Sequence, residues 1–570
     1  MRPRPPFPPA PAVSDPGRRP LAGDAAGTPL PRPGDALLRA VRRDPPPAAD
    51  PSLTPCVRTF EKVAATWPRR IAVSAGGTSM SYGELDARAS ALAAELTRHG
   101  VGGGSLVGLT GRPSPGLVVG IVAVHKLAAG YVPLDPVNPE TRLSGIARDS
   151  ALRVAVDCGG GWRPADGDLD IVHLTGPVAH PDHHLLPAPG GPGTDATGGR
   201  VTAGDVAYVL YTSGSTGAPK GVRVTQGNVA RLFSATEQLF GFTGEDVWTF
   251  YHSFAFDFSV WEIWGALVHG ARLVVVPYEV SRDPARFLDL LAAERVTVLS
   301  QTPSAFSLLL AEEARRDSPP ELALTHVVFG GEALDYRTLV PWVERHPLGR
   351  PRLINMYGIT ETTVHVTAHE VGAGDLRSGA RTIGRPLRDL RVYLVDECGA
   401  PVPDGTTGEM WVGGAGVALG YLNRPALTRS RFVHVGDPDA TVLYRSGDLA
   451  RVDADCRLVF LGRADDQVKI RGHRIELGEV EAAVRAHPHV ESVCVAAEPD
   501  ERGPTRLVAY LVLAGGAAPA KRDLFAFART RLPAYMVPQR WIAVPRLPLT
   551  INGKVDRAEL ARSATAARTL

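Results

Sequence analysis

The stretch Tyr211-Thr-Ser-Gly-Ser-Thr-Gly-Ala-Pro-Lys-Gly221 concentrates the residue types that grip phosphate. Its glycines let the backbone come close to a ligand and turn N–H groups inward. Its hydroxyls add donors, and Lys220 adds a cation. Thr212, Ser213, Gly214, Ser215, Thr216, Gly217 and Lys220 together could form a nest of oriented dipoles with a positive charge, as a polyphosphate requires. The spacing is not that of a Walker A loop. A flexible surface turn is the alternative reading. Further along, Tyr357 offers a flat ring on which a nucleobase can stack, and Asn355 can bond a base edge. Glu361 supplies a hard oxygen suited to Mg²⁺. Asp448, after Gly447, could accept ribose hydroxyls. Each has a structural alternative: a core tyrosine, an acid at a helix N-terminus and an Asx turn. Lys554 sits in an Asn-Gly turn and could be a plain exposed hairpin lysine.

These residues need strand ends and turns to hold them. Residues 206–211 and 222–225 read as strands on either side of the loop. Upstream, Val57, Phe60, Val63 and Ala64 recur at helical spacing. Residues 71–73 and 78–80 form a hairpin pattern around Gly76-Gly77. Ser81 with Glu84 makes a capping box for a helix running to Leu96. A strand at 107–109 and a helix over 116–127 follow. Val101-Gly-Gly-Gly104 reads as a turn, because it lacks the context of a dinucleotide site. Between 206 and 417, helix 303–310 and strands 326–329 and 353–354 continue the alternation. It predicts an α/β layered fold with a mostly parallel sheet and ligands at strand C-termini. A boundary near 461–463 precedes a small α+β domain, with strands 468–470, 492–495 and 507–513 and a helix over 476–486.

The remaining segments are less patterned. Proline-rich residues 1–50 read as a disordered leader in which only 36–43 could be helical. Residues 158–203 read as a long loop whose His173, His180, His183 and His184 are solvated rather than metal-bound. A net charge of +2 on 570 residues gives no nucleic-acid or membrane footprint. Cys56, Cys158, Cys398, Cys456 and Cys494 are scattered, which fits a reducing, cytoplasmic setting. The richest apolar run, 117–124, is too short to span a bilayer.

Several strings in order carry a family resemblance over roughly residues 55–560. They are Leu127-Ala-Ala-Gly-Tyr-Val-Pro-Leu-Asp135, the Lys220 loop, Phe256-Asp-Phe-Ser259, Asn355-Met-Tyr-Gly-Ile-Thr-Glu361, Gly408-Glu409 through Gly420-Tyr-Leu422, Tyr444-Arg-Ser-Gly-Asp-Leu449, Gly462-Arg-Ala-Asp-Asp-Gln-Val-Lys-Ile-Arg-Gly472, Leu532-Pro-Ala-Tyr-Met-Val-Pro538 and Asn552-Gly-Lys-Val-Asp556. The chain resembles the adenylate-forming enzymes, and among them the amino-acid adenylation domains of nonribosomal peptide synthetases. The resemblance implies a leader (1–50), a large N-terminal adenylation core of layered sheets and helices (51–462), a hinge (463–465), a small mobile α+β C-terminal domain (466–560) and a tail (561–570). It implies ATP held by the loop, Asn355, Tyr357, Gly358, Thr360, Asp448 and Arg463, with Mg²⁺ at Glu361 and Thr216. Lys554 would bridge the substrate carboxylate and α-phosphate. Lys220, Glu361 and Lys554 would be the catalytic set. Asp465 would be the hinge residue, with Lys469 and Gly472 facing the site only after the small domain rotates from its adenylation pose to its thiolation pose.

The same resemblance places Asp257 against the substrate's α-ammonium. It lines the side-chain pocket with Phe258, Trp261, Ser300, Val328, Gly330, Met356, Val364 and His365. That set is similar to the signature of threonine-activating domains, apart from Ser300 and Val328 where Asn and Ile are usual. L-Threonine or a close β-hydroxy relative is therefore expected, with serine or a small aliphatic residue behind. Gln226, Ile359 and Ser446 also depart from the family's frequent residues without removing a charged group. The chain is expected to stand alone, to load a phosphopantetheine carrier protein in trans, and to meet an MbtH-like partner at Pro425-Ala426-Leu427-Thr428. The competing expectations are an acyl- or aryl-CoA ligase of the same superfamily and a non-catalytic ATP-binding scaffold.

Overall fold

The structure, a computed structural model, describes residues 52–164, 169–174, 200–214, 219–436, 441–465, 467–470, 472–500, 503–514 and 519–548. Shorter described pieces lie at both ends: 37, 40–41, 44–48 and 50, then 555, 557, 559–560 and 568–569. Local sequence signals set many of the elements. Ser81 accepts from the Glu84 amide while Glu84 bonds back to the Ser81 amide, starting helix Tyr82–Arg98 as its capping box requires. Ser114 caps the helix Pro115–Lys126, which is buried from Gly116 through His125. Thr225 and Asn228 form a second capping box at helix Gln226–Phe240.

A large N-terminal domain holds two sheets. In the seven-stranded sheet, Gly130–Leu134 lies between Leu106–Thr110 and Val206–Thr212, all parallel. Val206–Thr212 then turns back antiparallel onto Lys220–Thr225, closing the Lys220 loop as a hairpin. In the fourteen-stranded sheet, Ile71–Ala75, Arg272–Val275, Val247–Phe250, Val298–Gln301, His326–Phe329 and Arg352–Tyr357 run parallel. Beyond Arg352–Tyr357 the neighbours Thr367–Glu370, Thr382–Pro386, Leu458–Arg463 and Thr441–Val452 are antiparallel. The sheet is thus mixed, not mostly parallel as the alternation suggested. Short connections can only join antiparallel neighbours, whereas parallel ones need a crossover. One apolar cluster spans strands of both sheets and includes the buried helices Pro115–Lys126 and Phe258–His269.

The smaller C-terminal domain has its own core around Val480, Val495, Leu511 and Trp541. Its two-stranded ribbon pairs Gln467–Ile470 with His473–Glu476, and its four-stranded sheet follows. Among the described residues no helix is long and apolar enough to cross a membrane.

Two segments differ from the sequence reading. Asp170–His173 is a strand paired with Val154–Asp157, so the 158–203 stretch is not all loop. His173 faces Asp157 there, while His180, His183 and His184 lie outside the described residues. In the segment read as leader, Leu37 and Val41 are buried against Tyr393, Val395, Trp411, Val435 and Leu443. Asp44 accepts from the Tyr393 hydroxyl and pairs with Arg391 at 2.9 Å. Apolar residues four apart form one helical face, and that face covers the outer strands. Leu37→Ala should weaken this attachment by about 2 kcal/mol, raising protease cleavage near residue 45 by roughly thirtyfold, since cleavage tracks the opened population. An unchanged cleavage rate would show that the segment does not pack.

Candidate active site

The hairpin that carries the Lys220 loop brings the lysine against the end of the other sheet. Its Nζ lies 3.3 Å from the Tyr421 hydroxyl and 3.5 Å from Glu361 Oε1. Burial pushes the ammonium down to about 8, against the pull of the Glu361 carboxylate. Glu361 is fully buried. Its Oε1 accepts from Tyr421 at 2.8 Å and its Oε2 from Arg474 at 3.2 Å. Burial alone would raise this carboxyl. The Arg474 guanidinium and Lys220 ammonium outweigh burial and hold it far below the usual range. It is therefore an ionised hard-oxygen donor beside Lys220 at the foot of its loop, which fits Mg²⁺. Magnesium commonly takes only one or two protein carboxylates and completes its shell with phosphates and water. Ser215, Thr216, Gly217 and Lys554 lie outside the described residues.

Beside this cluster an open pocket is lined by Asn355, Met356, Tyr357, Gly358, Arg381, Ile383, Phe460 and Lys469, among others. Asn355 donates through Nδ2 to the Tyr336 hydroxyl at 2.9 Å and to the Thr382 carbonyl at 3.1 Å. Both amide hydrogens are spent, so what Asn355 retains for a ligand is an acceptor. Tyr357 and Arg463 hold the two oxygens of Asp448: the Tyr357 hydroxyl donates to Oδ2 at 2.5 Å, Arg463 Nη1 to Oδ1 at 2.8 Å. Arg463 also grips Asp465 through Nε at 2.6 Å and Nη2 at 2.7 Å. The residue expected at the hinge is thus tied to the residue expected at the ribose.

Asp257 stands before helix Phe258–His269 and is 6% exposed. Burial raises its carboxyl to about 6, although the Thr360 hydroxyl and the Lys469 ammonium pull it down. Among the described residues no basic group lies within ion-pair distance of it. Phe258 and Trp261 on that helix both meet His365 edge-on, with centroids 5.4 and 5.2 Å away. Gly330 lies against the same rings: a Cβ there would sit 3.2 Å from Phe258 and 3.5 Å from His365. Ser300 and Val328 are register neighbours on adjoining parallel strands, and Val328 pairs onward with Ile354 beside Met356. Several of the residues expected to line a pocket thus adjoin one another near the strand ends, where open α/β sheets bind ligands. Three buried polar atoms among them, Ser300 Oγ, His365 Nε2 and Trp261 Nε1, have no hydrogen-bond partner. Burial, with Arg231 nearby, lowers the His365 imidazole to about 3, so it is neutral.

The turn that delivers His365 is strained. Thr363 and Val364 have φ of 59° and 63°, a region costly for a β-branched residue. The turn lies on Gly358, where a Cβ would come within 1.9 Å of the Val364 carbonyl oxygen.

The resemblance implied that Lys469 and Gly472 face the site in one pose of the small domain. Lys469 Nζ lies 5.5 Å from the centre of the Tyr357 ring, and the Gly472 amide donates to Glu332 Oε1 at 2.8 Å. Sequence reasoning missed Arg474, Tyr421, Tyr444 and Glu332. Arg474 had a readable signal: it is the cross-strand partner of Lys469 in the small domain's two-stranded ribbon. Paired residues project to the same face, so one cation at the site implies the other.

Gly358→Ala should displace the Thr363–Val364 turn, costing about 1–3 kcal/mol or more in folding stability. Denaturant titration would check this; a variant as stable as the parent would mean the turn is free to move.

Comparison with known proteins identifies the architecture. Residues 60–422 match the AMP-binding enzyme family and 479–554 match the AMP-binding enzyme C-terminal domain. The chain is 44% identical over 507 residues to syringomycin synthase SyrB1 of Pseudomonas syringae pv. syringae, covering 88% of this chain and 80% of that one. It is 46% identical over 506 residues to the dimodular nonribosomal peptide synthase of Bacillus subtilis (strain 168), of which it spans 21%. The solved structure of holo-PA1221, an NRPS protein containing adenylation and PCP domains bound to a vinylsulfonamide inhibitor, superposes with a TM-score of 0.77 at 30% identity, covering 90% of this chain and 85% of that one. With both AMP-binding domains in sequence and this fold, the chain belongs to the AMP-binding enzyme family as an adenylate-forming ligase of the nonribosomal peptide synthetase adenylation type.

Proposed function

We propose that this chain activates an amino acid with a short hydroxylated side chain, L-threonine first, as its aminoacyl-adenylate, and passes it to a carrier's phosphopantetheine thiol. The observation that carries the reading is Asp257. A buried carboxylate without an ion-pair partner is costly, and an α-ammonium supplies the missing cation. Aryl and fatty acids have none, which weighs against the CoA-ligase alternative. The unpartnered Ser300, His365 and Trp261 atoms then favour a polar side chain in the pocket. A site with unmet hydrogen-bonding groups rejects analogues that leave them unpaired.

ATP enters as co-substrate. The Asn355 acceptor suits the exocyclic amine of adenine, and the Tyr357 face suits its ring. A carboxylate oxygen of the amino acid bonds to the α-phosphorus, the α–β phosphoanhydride bond breaks, and pyrophosphate leaves with the electron pair. Lys220 holds positive charge where that leaving group develops. Glu361 and Thr216 would hold Mg²⁺, which neutralises phosphate charge when bound. Lys554 is expected to bridge carboxylate and α-phosphate in the other pose of a mobile small domain. In the second half, the thiol sulfur bonds to the acyl carbon, the acyl–phosphate C–O bond breaks, AMP leaves, and the thiol proton passes to solvent. The carrier is expected in trans. An MbtH-like protein is proposed to insert at Ala426, which is exposed on helix Pro425–Arg431, a helix with no buried residue. Co-expression that leaves yield and activity unchanged would remove that partner.

ATP–pyrophosphate exchange across the amino acids tests the substrate. Threonine is expected to give the strongest exchange; an aromatic or basic amino acid in that place would overturn the pocket reading. Asp257→Ala should lower amino-acid-dependent exchange by about 30- to 5,000-fold, the range for removing one partner of a buried charge pair. Asp257 also sets a pH limit. Its folded carboxyl titrates near 6, so below that pH the free enzyme carries it neutral and cannot pair the ammonium. The kcat/KM for the amino acid should therefore fall by about tenfold per pH unit below 6. A flat profile from pH 7 to 5 would show that Asp257 does not recognise the ammonium.

A further inference from the structure

We propose that Arg142 and Glu479 form a latch that positions the small domain for thiol transfer, and that it closes only on an emptied phosphate loop. The inference rests on the adenylation reading above. The pose seen here is incompatible with a bound metal–triphosphate. Arg474 occupies Glu361 Oε2, the small domain's Lys469 covers the Tyr357 ring, and Ser213 of the phosphate loop donates to the Arg474 carbonyl at 2.6 Å. Groups that would meet the metal, the base and the phosphates are spent on the small domain. This pose follows pyrophosphate release, and the step left is transfer.

What fixes the pose away from those groups is one ion pair. Arg142, on the large domain's helix Glu140–Asp149, bonds Glu479, on the small domain's helix Leu477–Arg485, at 2.6 Å. The two side chains are 6% and 5% exposed. The neighbouring Thr141 hydroxyl donates to the Thr530 carbonyl at 2.8 Å, fastening the same helix. Tyr535 also faces both charges, and its ring stacks on His473 with centroids 3.7 Å apart. The pair reaches the phosphate loop too: the Gly214 amide faces the Glu479 carboxylate. An anion beside Gly214 repels any phosphate in the loop. The second carboxylate oxygen, Oε2, is buried with no hydrogen-bond partner, so the charge depends on Arg142. Neither Arg142 nor Glu479 has a place in the ATP or amino-acid contacts, and separation of the domains would return both to water.

The test separates the half-reactions, using the amino acid that gives the strongest exchange and free pantetheine as the thiol. Arg142→Ala should leave ATP–pyrophosphate exchange within about twofold of the parent. It should slow single-turnover thioester formation by about a hundredfold, the scale of a stranded buried charge. The double reversal Arg142→Glu/Glu479→Arg should recover at least tenfold over Arg142→Glu alone, which a purely packing role would not produce. Normal thioester formation by Arg142→Ala, or no recovery in the double reversal, overturns the latch. Absence of exchange by the parent protein with every amino acid overturns the functional reading instead, and the latch with it.

Discussion

Everything at the centre of this molecule turns on the Glu361 carboxylate. It lies fully buried between Lys220 of one sheet's hairpin and Arg474 of the small domain. None of the three charges is stable alone at that depth, because desolvation of an unpaired ion costs several kcal/mol. Two cations against one carboxylate leave a net positive charge in this buried cluster while the small domain is docked. The Tyr421 and Tyr444 hydroxyls complete the network, Tyr421 bonding Glu361 and lying 3.1 Å from Tyr444. The cluster is therefore both the charged centre of the candidate site and a fastening between the domains.

That double use explains the character of the domain contact. Its described fastenings are polar and few: Arg474 to Glu361, Gly472 to Glu332, Ser213 to the Arg474 carbonyl, Thr141 to the Thr530 carbonyl, and Arg142 to Glu479. Each group can be resolvated when the domains part, whereas a broad apolar contact would resist separation. The small domain keeps its own apolar core around Val480 and Trp541, so it can move without unfolding.

The residues around Asp257 and His365 are packed in the opposite way. Trp261 stacks on Phe233, His365 is wedged between Phe258 and Trp261, and the Thr363–Val364 turn is held in a strained backbone over Gly358. The aromatic rings pack the imidazole on two sides, and the strained turn carries it. Three unpartnered polar atoms, Ser300 Oγ, His365 Nε2 and Trp261 Nε1, lie among these residues, and strain and unpaired groups of this kind collect at functional sites.

Much of this was legible in the chain itself. The capping box at Ser81, the hairpin around Lys220, the strand over His326–Phe329 and the separate C-terminal core follow from local periodicity and turn chemistry, which act over a few residues. Motif order likewise singled out Lys220, Tyr357, Glu361, Asp257 and Asp448 as candidates, because side-chain type and the immediate turn are local features. What the chain alone did not disclose is pairing across hundreds of residues. Asp448 looked like a free acceptor, yet its oxygens are held by Tyr357 and Arg463. Leu37 and Val41 sat in a proline-rich leader, yet they cover Trp411. Nothing local marks Arg142 or Glu479, and only the docking of two domains buries them together. Side-chain identity is local information. Burial and partnership, which decide whether a charge is ionised, satisfied or waiting for a ligand, exist only once distant segments have met.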